Sequence, residues 1–185
     1  MTIRLSRRLG LALLLVTGCA PAGEASSAQI NPAGQWEPEC SIQADGPDQP
    51  ALREQLWTER KAAEPLCLFI GAMAWAPYDK DRAAELYALA MVRRRYDLGR
   101  CVHPPGGPVS SMMAAMRMGA GDKLREAGIV VGPTAIRPLA LDPEMYKYRT
   151  DHLATMCEGP VKPSSSWPDV EAQMRREIES VSSRK

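Results

Sequence analysis

Apolar side chains recur at helical spacing along most of this chain, a pattern that predicts amphipathic helices around a common core. In the stretch 80–98, one face carries Ala83, Leu86, Tyr87, Ala90 and Met91. The stretch 66–75 is apolar nearly all round, as is typical of a helix buried within a protein. Further helices are predicted over 51–63, 109–118 and 142–157, and the second of these continues to 126 after a break at 119–121. A last helix is predicted over the C-terminal residues, where the apolar positions form a narrow stripe: Val170, Met174, Ile178 and Val181.

Only one run is typical of a strand. It covers residues 129–134, and the sequence offers no partner run for it. Residues 132–143, with three prolines, are predicted to be loop. The predicted fold class is therefore all-α: a small disulfide-linked helical domain of about five to six helices.

The first residues have the features of an export signal. Arg4, Arg7 and Arg8 precede an apolar run over 9–16, and this run is too short to cross a bilayer, which takes about 20 residues. The following Val16-Thr17-Gly18-Cys19 resembles the lipobox of bacterial lipoproteins. An ordinary secretory peptide with an incidental Cys19 is the alternative.

The lipoprotein resemblance implies that residues 1–18 are removed and that Cys19 becomes the lipidated N-terminus, with a diacylglyceryl group and an amide-linked acyl chain such as palmitate. Ala20 after the cysteine favours the outer membrane, facing the periplasm. Residues 19–35 are small and polar, which predicts a flexible tether. Residues 36–185 are predicted to form a single helical domain.

Residues 64–97 resemble one tetratricopeptide-type helical hairpin. Ile70 and Gly71 fall where that repeat places its Leu-Gly pair, and Ala83, Tyr87 and Ala90 fall where it places two alanines and an aromatic residue. Two positions depart from the repeat, which has tryptophan at Cys67 and proline at Arg95, and no second copy follows at the repeat period. The resemblance implies hairpin packing and not a repeat protein.

Charge argues against a nucleic-acid partner. The whole chain has 23 basic and 22 acidic residues, and removal of the three signal arginines leaves 20 basic residues against 22 acidic ones. The mature chain is therefore slightly acidic, whereas nucleic-acid-binding domains are usually basic.

The cysteines besides Cys19 predict two disulfides, because an even number is typical of an oxidising compartment. Hairpin geometry places Cys67 and Cys101 too far apart for a bond. Cys101 is instead expected to return toward the start of the first helix, where Cys40 enters, so the predicted pairs are Cys40–Cys101 and Cys67–Cys157. Free buried thiols are the alternative. No C-x-x-C spacing occurs, so neither a zinc site nor any other metal or cofactor is predicted.

The chain presents few candidates for catalysis. His103 lies in a loop of prolines and glycines, and Ser110 or Ser111 is the only nucleophile that can be matched to it. His152 is interpreted as a partly buried packing residue.

Two groups of residues are possible interface positions. Arg93, Arg94 and Arg95 are interpreted as a solvated helix end, with an anion or lipid-headgroup contact as the alternative. Met112, Met113 and Met116 are interpreted as core or adaptable binding surface, with a soft copper(I) site as the alternative.

These features favour a membrane-anchored protein-binding module over an enzyme. Such a module suits an accessory subunit of an envelope or secretion assembly, or an immunity protein against a toxin delivered into the periplasm. The alternatives are a cell-envelope hydrolase that uses His103 and a copper-binding protein that uses the methionines.

Overall fold

The computed structural model describes Cys40, residues 50–103 and residues 108–182. These residues form seven α-helices and two short 3₁₀ helices, with a single bridge between Cys101 and Val161 in place of any strand. The all-α prediction is confirmed. The α-helices are α1 (Pro50–Thr58), α2 (Pro65–Trp75), α3 (Lys80–Arg100), α4 (Pro108–Glu126), α5 (Pro133–Leu141), α6 (Leu153–Met156) and α7 (Trp167–Ser182), and the 3₁₀ helices are Pro143–Tyr146 and Ser164–Ser166.

Helix α2 lies at the centre of the molecule. Every one of its residues except Met73 is buried, as its uniformly apolar sequence predicts. It begins with Pro65, whose missing N–H is no loss in the first turn. After a short turn, Asp79 caps α3 by accepting hydrogen bonds from the backbone N–H groups of Asp81 and Arg82, both at 3.0 Å.

The α2–α3 hairpin forms the main core with α4. Its buried contacts join Phe69 of α2, Leu86 and Leu89 of α3, and Leu124 of α4. The helix bounds predicted for 66–75 and 80–98 agree with the structure to within two residues. The likeness of this hairpin to a tetratricopeptide unit stays a prediction.

Helix α4 is continuous where a break at 119–121 was predicted. The glycines there allow close approach to neighbouring helices. A Cβ at Gly121 would lie 3.2 Å from the hydroxyl oxygen of Tyr87, and one at Gly119 would lie 3.9 Å from the sulfur of Met73. Glycine lowers helix propensity by about 1 kcal/mol, and here it lets the helix pack against these side chains.

The prediction for residues 129–143 was wrong. Residues 129–132 form no strand, and α5 occupies what was predicted as loop. Pro133 starts this helix at a tolerated position, and Pro138 lies inside it. Packing outweighs the cost of Pro138, because Ala140 is fully buried in a second cluster with Val92 and Tyr96 of α3.

The helix predicted over 142–157 is broken. Asp142 acts as a cap, as predicted, but it caps the 3₁₀ helix Pro143–Tyr146 by accepting from the N–H of Glu144 at 2.9 Å. Irregular backbone follows until α6. This segment carries Tyr148 and His152 against α3, where both contact Asp97.

Two disulfides are present, but the predicted pairing was wrong. Cys40 bonds Cys67 in the first turn of α2, and Cys101 bonds Cys157, each pair with Cα atoms 5.4 Å apart. The exclusion of Cys67–Cys101 was correct. The error came from the expectation that Cys101 returns toward the start of α1, because the broken segment over 142–157 instead brings Cys157 to the C-terminal end of α3. There Val102 and Lys162 donate backbone hydrogen bonds to Pro160 and Arg100.

The signal, Cys19 and the tether lie outside the described residues. No described helix combines the length and the apolar character needed to cross a bilayer.

Candidate functional site

A set of buried polar side chains lies on the inner face of α3. Arg93, Asp97 and Arg100 are spaced by four and three residues, which places them on one side of a helix. They continue the apolar stripe of Leu86 and Ala90, and all three are 0% exposed. The interpretation of Arg93 as part of a solvated helix end was therefore wrong.

Arg93 joins α3 to the turn between α1 and α2. Its Nη1 donates to the carbonyls of Arg60, at 2.8 Å, and Ala63, and its Nη2 donates to that of Lys61 at 2.7 Å. Its Nε donates to the carbonyl of Met145 at 3.0 Å. Burial lowers the pKa of Arg93 to about 10, so the guanidinium stays charged at neutral pH. This arginine is structural, because its donors are directed at backbone carbonyls.

Asp97 accepts hydrogen bonds from three side chains. The donors are Nη2 of Arg100, the hydroxyl of Tyr148 and Nε2 of His152, the last at 2.7 Å. Burial alone would raise the pKa of Asp97, but the charge and hydrogen bond of His152, with Arg100 and Tyr148, hold it below its usual value. A buried carboxylate thus stays ionised among donors.

Arg100 is enclosed by aromatic rings as well as by Asp97. Its guanidinium carbon lies 4.3 Å from the ring centroid of Tyr96 and 4.6 Å from that of Trp167, the first residue of α7. Such contacts favour a desolvated cation. The polar network therefore reaches from α3 to the C-terminal helix.

His152 lies between two carboxyl groups. Its Nε2 faces Asp97, and its Nδ1 lies 3.3 Å from Oε2 of Glu64. Burial alone would lower the pKa of His152, but Asp97 and Glu64 raise it above its usual value. The residue is 1% exposed, so it is more deeply buried than predicted.

Glu64 connects this network to a cleft. Its side chain is 12% exposed at the start of α2, and burial raises its pKa to about 7 although His152 acts in the opposite direction. The cleft has a volume of about 70 Å³. Its lining residues combine apolar, charged and sulfur-containing groups: Leu52, Leu56, Ala62 and Ala63; Glu59, Arg149 and Asp151; Gln55, Glu64 and His152; and the Cys40–Cys67 disulfide. Glu64 is thus a carboxyl that exchanges a proton near neutral pH beside a small opening.

The predicted catalytic candidates lie elsewhere. His103 is exposed and lies against Gly159, where an added Cβ would be 3.0 Å from its ring. Ser110 and Ser111 lie in the first turn of α4, half-buried and exposed respectively. Residues 104–107 between them lie outside the described part of the chain. Their use as a nucleophile and base stays a prediction.

The predicted interface residues divide by exposure. Met112 is 37% exposed, whereas Met113 is 2% exposed and Met116 packs against the core. This burial of Met113 prevents it from meeting a partner or from joining a surface copper site with Met112.

The three arginines predicted as interface residues, Arg93, Arg94 and Arg95, also differ in exposure. Arg95 is exposed and forms an ion pair with Glu177 of α7 at 2.8 Å. Arg94 is half-buried, and burial together with the charge of Arg117 lowers its pKa. Together with the burial of Arg93, this means that the three arginines do not form one basic surface.

Sequence reasoning missed Glu64, Asp97, Arg100 and Tyr148. A signal for two of them was available, because Asp97 and Arg100 continue the inner-face spacing of α3. Charged residues on an apolar stripe indicate a buried polar network. Glu64 and Tyr148 carry no such signal, since their positions depend on the path of residues 143–157.

No protein-family model, curated protein or solved structure matches this chain.

Proposed function

We propose that this chain is a lipid-anchored protein of the bacterial envelope whose helical domain binds a protein partner. Cys19 carries the lipid, the following residues hold the domain clear of the outer membrane, and the domain faces the periplasm. The partner is either a component of an envelope or secretion assembly or a toxin that the domain neutralises.

Disulfides support the proposed location. Both pairs are buried within the helical domain, and such bonds persist in oxidising compartments. The charged n-region and the lipobox-type sequence before Cys19 favour the same compartment. These observations are independent, because the domain cysteines lie far along the chain from the signal.

The outer face of α4 is the observation that carries the binding proposal. Met112 and Met118 are 37% and 56% exposed, whereas the other described methionines are buried or half-buried. Exposed Ala115 lies between them, one helical turn from each. Methionine is favoured at adaptable binding surfaces, and the charged residues that follow supply a polar rim. By contrast, the charged groups under α3 are already engaged within the molecule.

A comparison of variants tests the binding face. Envelopes that contain the wild-type lipoprotein or the double variant Met112→Glu/Met118→Glu are cross-linked, solubilised and purified through the lipoprotein. Arg137→Glu is the matched control, because it changes the net charge by the same two units at an exposed position on another helix, α5. We expect one partner to be recovered with the wild type and the control and lost with the double variant. Equal recovery with all three proteins would exclude this face.

A second experiment tests the anchor. Cys19→Ala is compared with Cys40→Ala/Cys67→Ala, which removes cysteines but leaves the lipobox-type sequence intact. We expect Cys19→Ala alone to leave the membrane fraction and to lack acyl mass on its N-terminal peptide. An unmodified Cys19 in the wild type would contradict lipidation.

A further inference from the structure

Three potential metal ligands meet at one corner of the cleft. The sulfurs of Cys40 and Cys67 and a carboxylate oxygen of Glu64 all lie within 4.8 Å of one another. Sγ of Cys67 lies 3.6 Å from Oε1 of Glu64. In the oxidised protein the two sulfurs are bonded to each other, so they are not available to a metal.

This arrangement is close to the dimensions of a tetrahedral zinc site. Zinc–sulfur bonds of about 2.3 Å and zinc–oxygen bonds of about 2.1 Å place a sulfur and an oxygen ligand about 3.6 Å apart. The observed separation of Cys67 and Glu64 already has this value. Two sulfur ligands of zinc lie about 3.8 Å apart, so the two sulfurs, which are bonded to each other in this structure, need to move apart after reduction. Cys67 is held in the first turn of α2, whereas Cys40 lies outside the described helices, so we expect Cys40 to make this shift.

We propose that reduction of the Cys40–Cys67 disulfide converts this corner of the cleft into a zinc site. The two thiolates and the Glu64 carboxylate are the protein ligands, and a water molecule from the cleft takes the fourth position. This inference does not depend on the proposed partner-binding function.

His152 supports Glu64 as a ligand. Its Nδ1 lies 3.3 Å from Oε2, the carboxylate oxygen that does not face Cys67. This contact leaves the other oxygen, which faces Cys67, to bind the metal, in the way that residues behind metal ligands commonly orient them. Zinc is favoured over copper(I), because copper(I) prefers sulfur ligands alone whereas zinc accepts a carboxylate oxygen.

The reduction step requires an external dithiol, such as that of a thiol reductase. One of its thiolates attacks a sulfur of the pair, which breaks the Cys40–Cys67 bond and forms a mixed disulfide. Its second thiol then displaces the protein thiol and leaves the reductant as a disulfide. The protein gains two electrons and two protons, and zinc binding releases the two thiol protons.

The second disulfide provides a matched control. Among the described residues, no His, Asp or Glu group joins Cys101 and Cys157 within the same 4.8 Å. Reduction of that pair therefore releases two thiols but supplies no third ligand. Both disulfides are buried, but only Cys40–Cys67 has a third potential metal ligand beside it among the described residues.

Zinc titration of the full-length chain tests the proposal. The chain carries Cys19→Ser to remove the remaining thiol, and a phosphine reductant and a chromophoric chelator compete for the metal. We expect one zinc per reduced chain and none per oxidised chain. Cys101→Ala/Cys157→Ala should keep the site, whereas Cys40→Ala/Cys67→Ala should lose it. Cobalt substitution should give sulfur-to-cobalt absorption from two thiolates in a tetrahedral site.

Glu64→Gln tests the third ligand without removing a cysteine. We expect its zinc affinity to fall at least about tenfold, because a metal ligand contributes no less than the groups that support it. Far-ultraviolet circular dichroism of each variant verifies that the helices remain. Failure of the reduced chain to bind zinc, unchanged affinity in Glu64→Gln, or retained binding in folded Cys40→Ala/Cys67→Ala would overturn the proposal.

Discussion

The side chain of Arg93 donates to backbone carbonyls in the turn that follows helix α1. α1 was predicted to continue to Ala63, but it stops at Thr58, and the carbonyls of Arg60, Lys61 and Ala63 accept from the guanidinium. These hydrogen bonds are partly buried, and a carbonyl that is shielded from water and left unsatisfied costs up to about 1–3 kcal/mol. A single residue of α3 thus determines the path of the chain between α1 and α2.

Replacement of this residue should be costly. We expect Arg93→Met to lower the free energy of unfolding by about 3 kcal/mol, because four partly buried hydrogen bonds to backbone carbonyls are lost. Urea unfolding at neutral pH measures the change. Arg95→Met is the control two residues away, where the loss of a surface ion pair costs about 1 kcal/mol or less. Similar values for the two variants would contradict the structural role of Arg93.

Glu64 should make the stability of the oxidised protein depend on pH. Its pKa is about 7 in the fold, against an ordinary value of 4.5. Because the folded state favours the protonated form, its contribution is present below pH 4.5 and is lost as the pH rises to about 7. This loss corresponds to about 3 kcal/mol.

Glu64→Gln removes the titrating carboxyl and, with it, the charge that helps to raise the pKa of His152. We expect the variant to gain stability relative to the wild type as the pH rises from 4.5 to 7.5. Urea unfolding at a series of pH values measures the difference. A difference that stays constant across this range would mean that Glu64 titrates normally.

At the scale of helices, α3 and α7 meet at Gly99. A Cβ on Gly99 would lie 2.5 Å from Cγ1 of Val170, which is too close for any ordinary contact. Valine cannot easily turn away, since its branched side chain is stiff. The close packing of α7 on α3 therefore depends on the absence of a side chain at this position.

The effect of Gly99→Ala on stability should depend on the side chain at position 170. We expect Gly99→Ala to destabilise the wild type by about 1–3 kcal/mol, because the added methyl overpacks the interface. In a Val170→Ala background the same change should be neutral or stabilising by up to about 1 kcal/mol, because alanine favours the helix. A double-mutant cycle by thermal or urea unfolding measures the coupling. Equal effects in both backgrounds would contradict the contact.

The elements show which features of the fold the sequence determines locally. Helices α2 and α3 were predicted closely, because Pro65 and Asp79 define their starts and the apolar pattern is strong. Residues 133–157 were predicted wrongly, because their structure depends on contacts with α3 that lie far away in sequence. Pro138 indicated a loop, but the burial of Ala140 against α3 favours a helix.

In the candidate site, too, the residues with a local sequence pattern can be predicted and those placed by distant contacts cannot. Arg93, Asp97 and Arg100 have a local signal, namely helical spacing along an apolar stripe. The contact of Glu64 with His152 has none, since 88 positions separate them and the intervening helix was predicted incorrectly. The cleft lies where these distant segments meet, so local sequence patterns give no indication of it.

For the whole molecule, the two disulfides should contribute similar amounts of stability. They join residues 27 and 56 positions apart. Loop entropy predicts a loss of about 3–4 kcal/mol when either pair is replaced by alanines, slightly more for Cys101–Cys157. Urea unfolding of Cys40→Ala/Cys67→Ala and Cys101→Ala/Cys157→Ala measures both. A cost below about 1 kcal/mol for either pair would show that the helices hold their positions without that bond.

The order of the cysteines bears on how the protein matures. The four cysteines of the described domain pair in chain order, the first with the second and the third with the fourth. The two disulfide-closed loops therefore do not overlap. A polypeptide that enters an oxidising compartment N-terminus first presents Cys40 and Cys67 before Cys101 arrives. With Cys19 blocked by the proposed lipid, an oxidase that joins each free thiol to the next to emerge makes both native bonds. The crossed pairing predicted from the sequence would require a disulfide isomerase, whereas this connectivity does not.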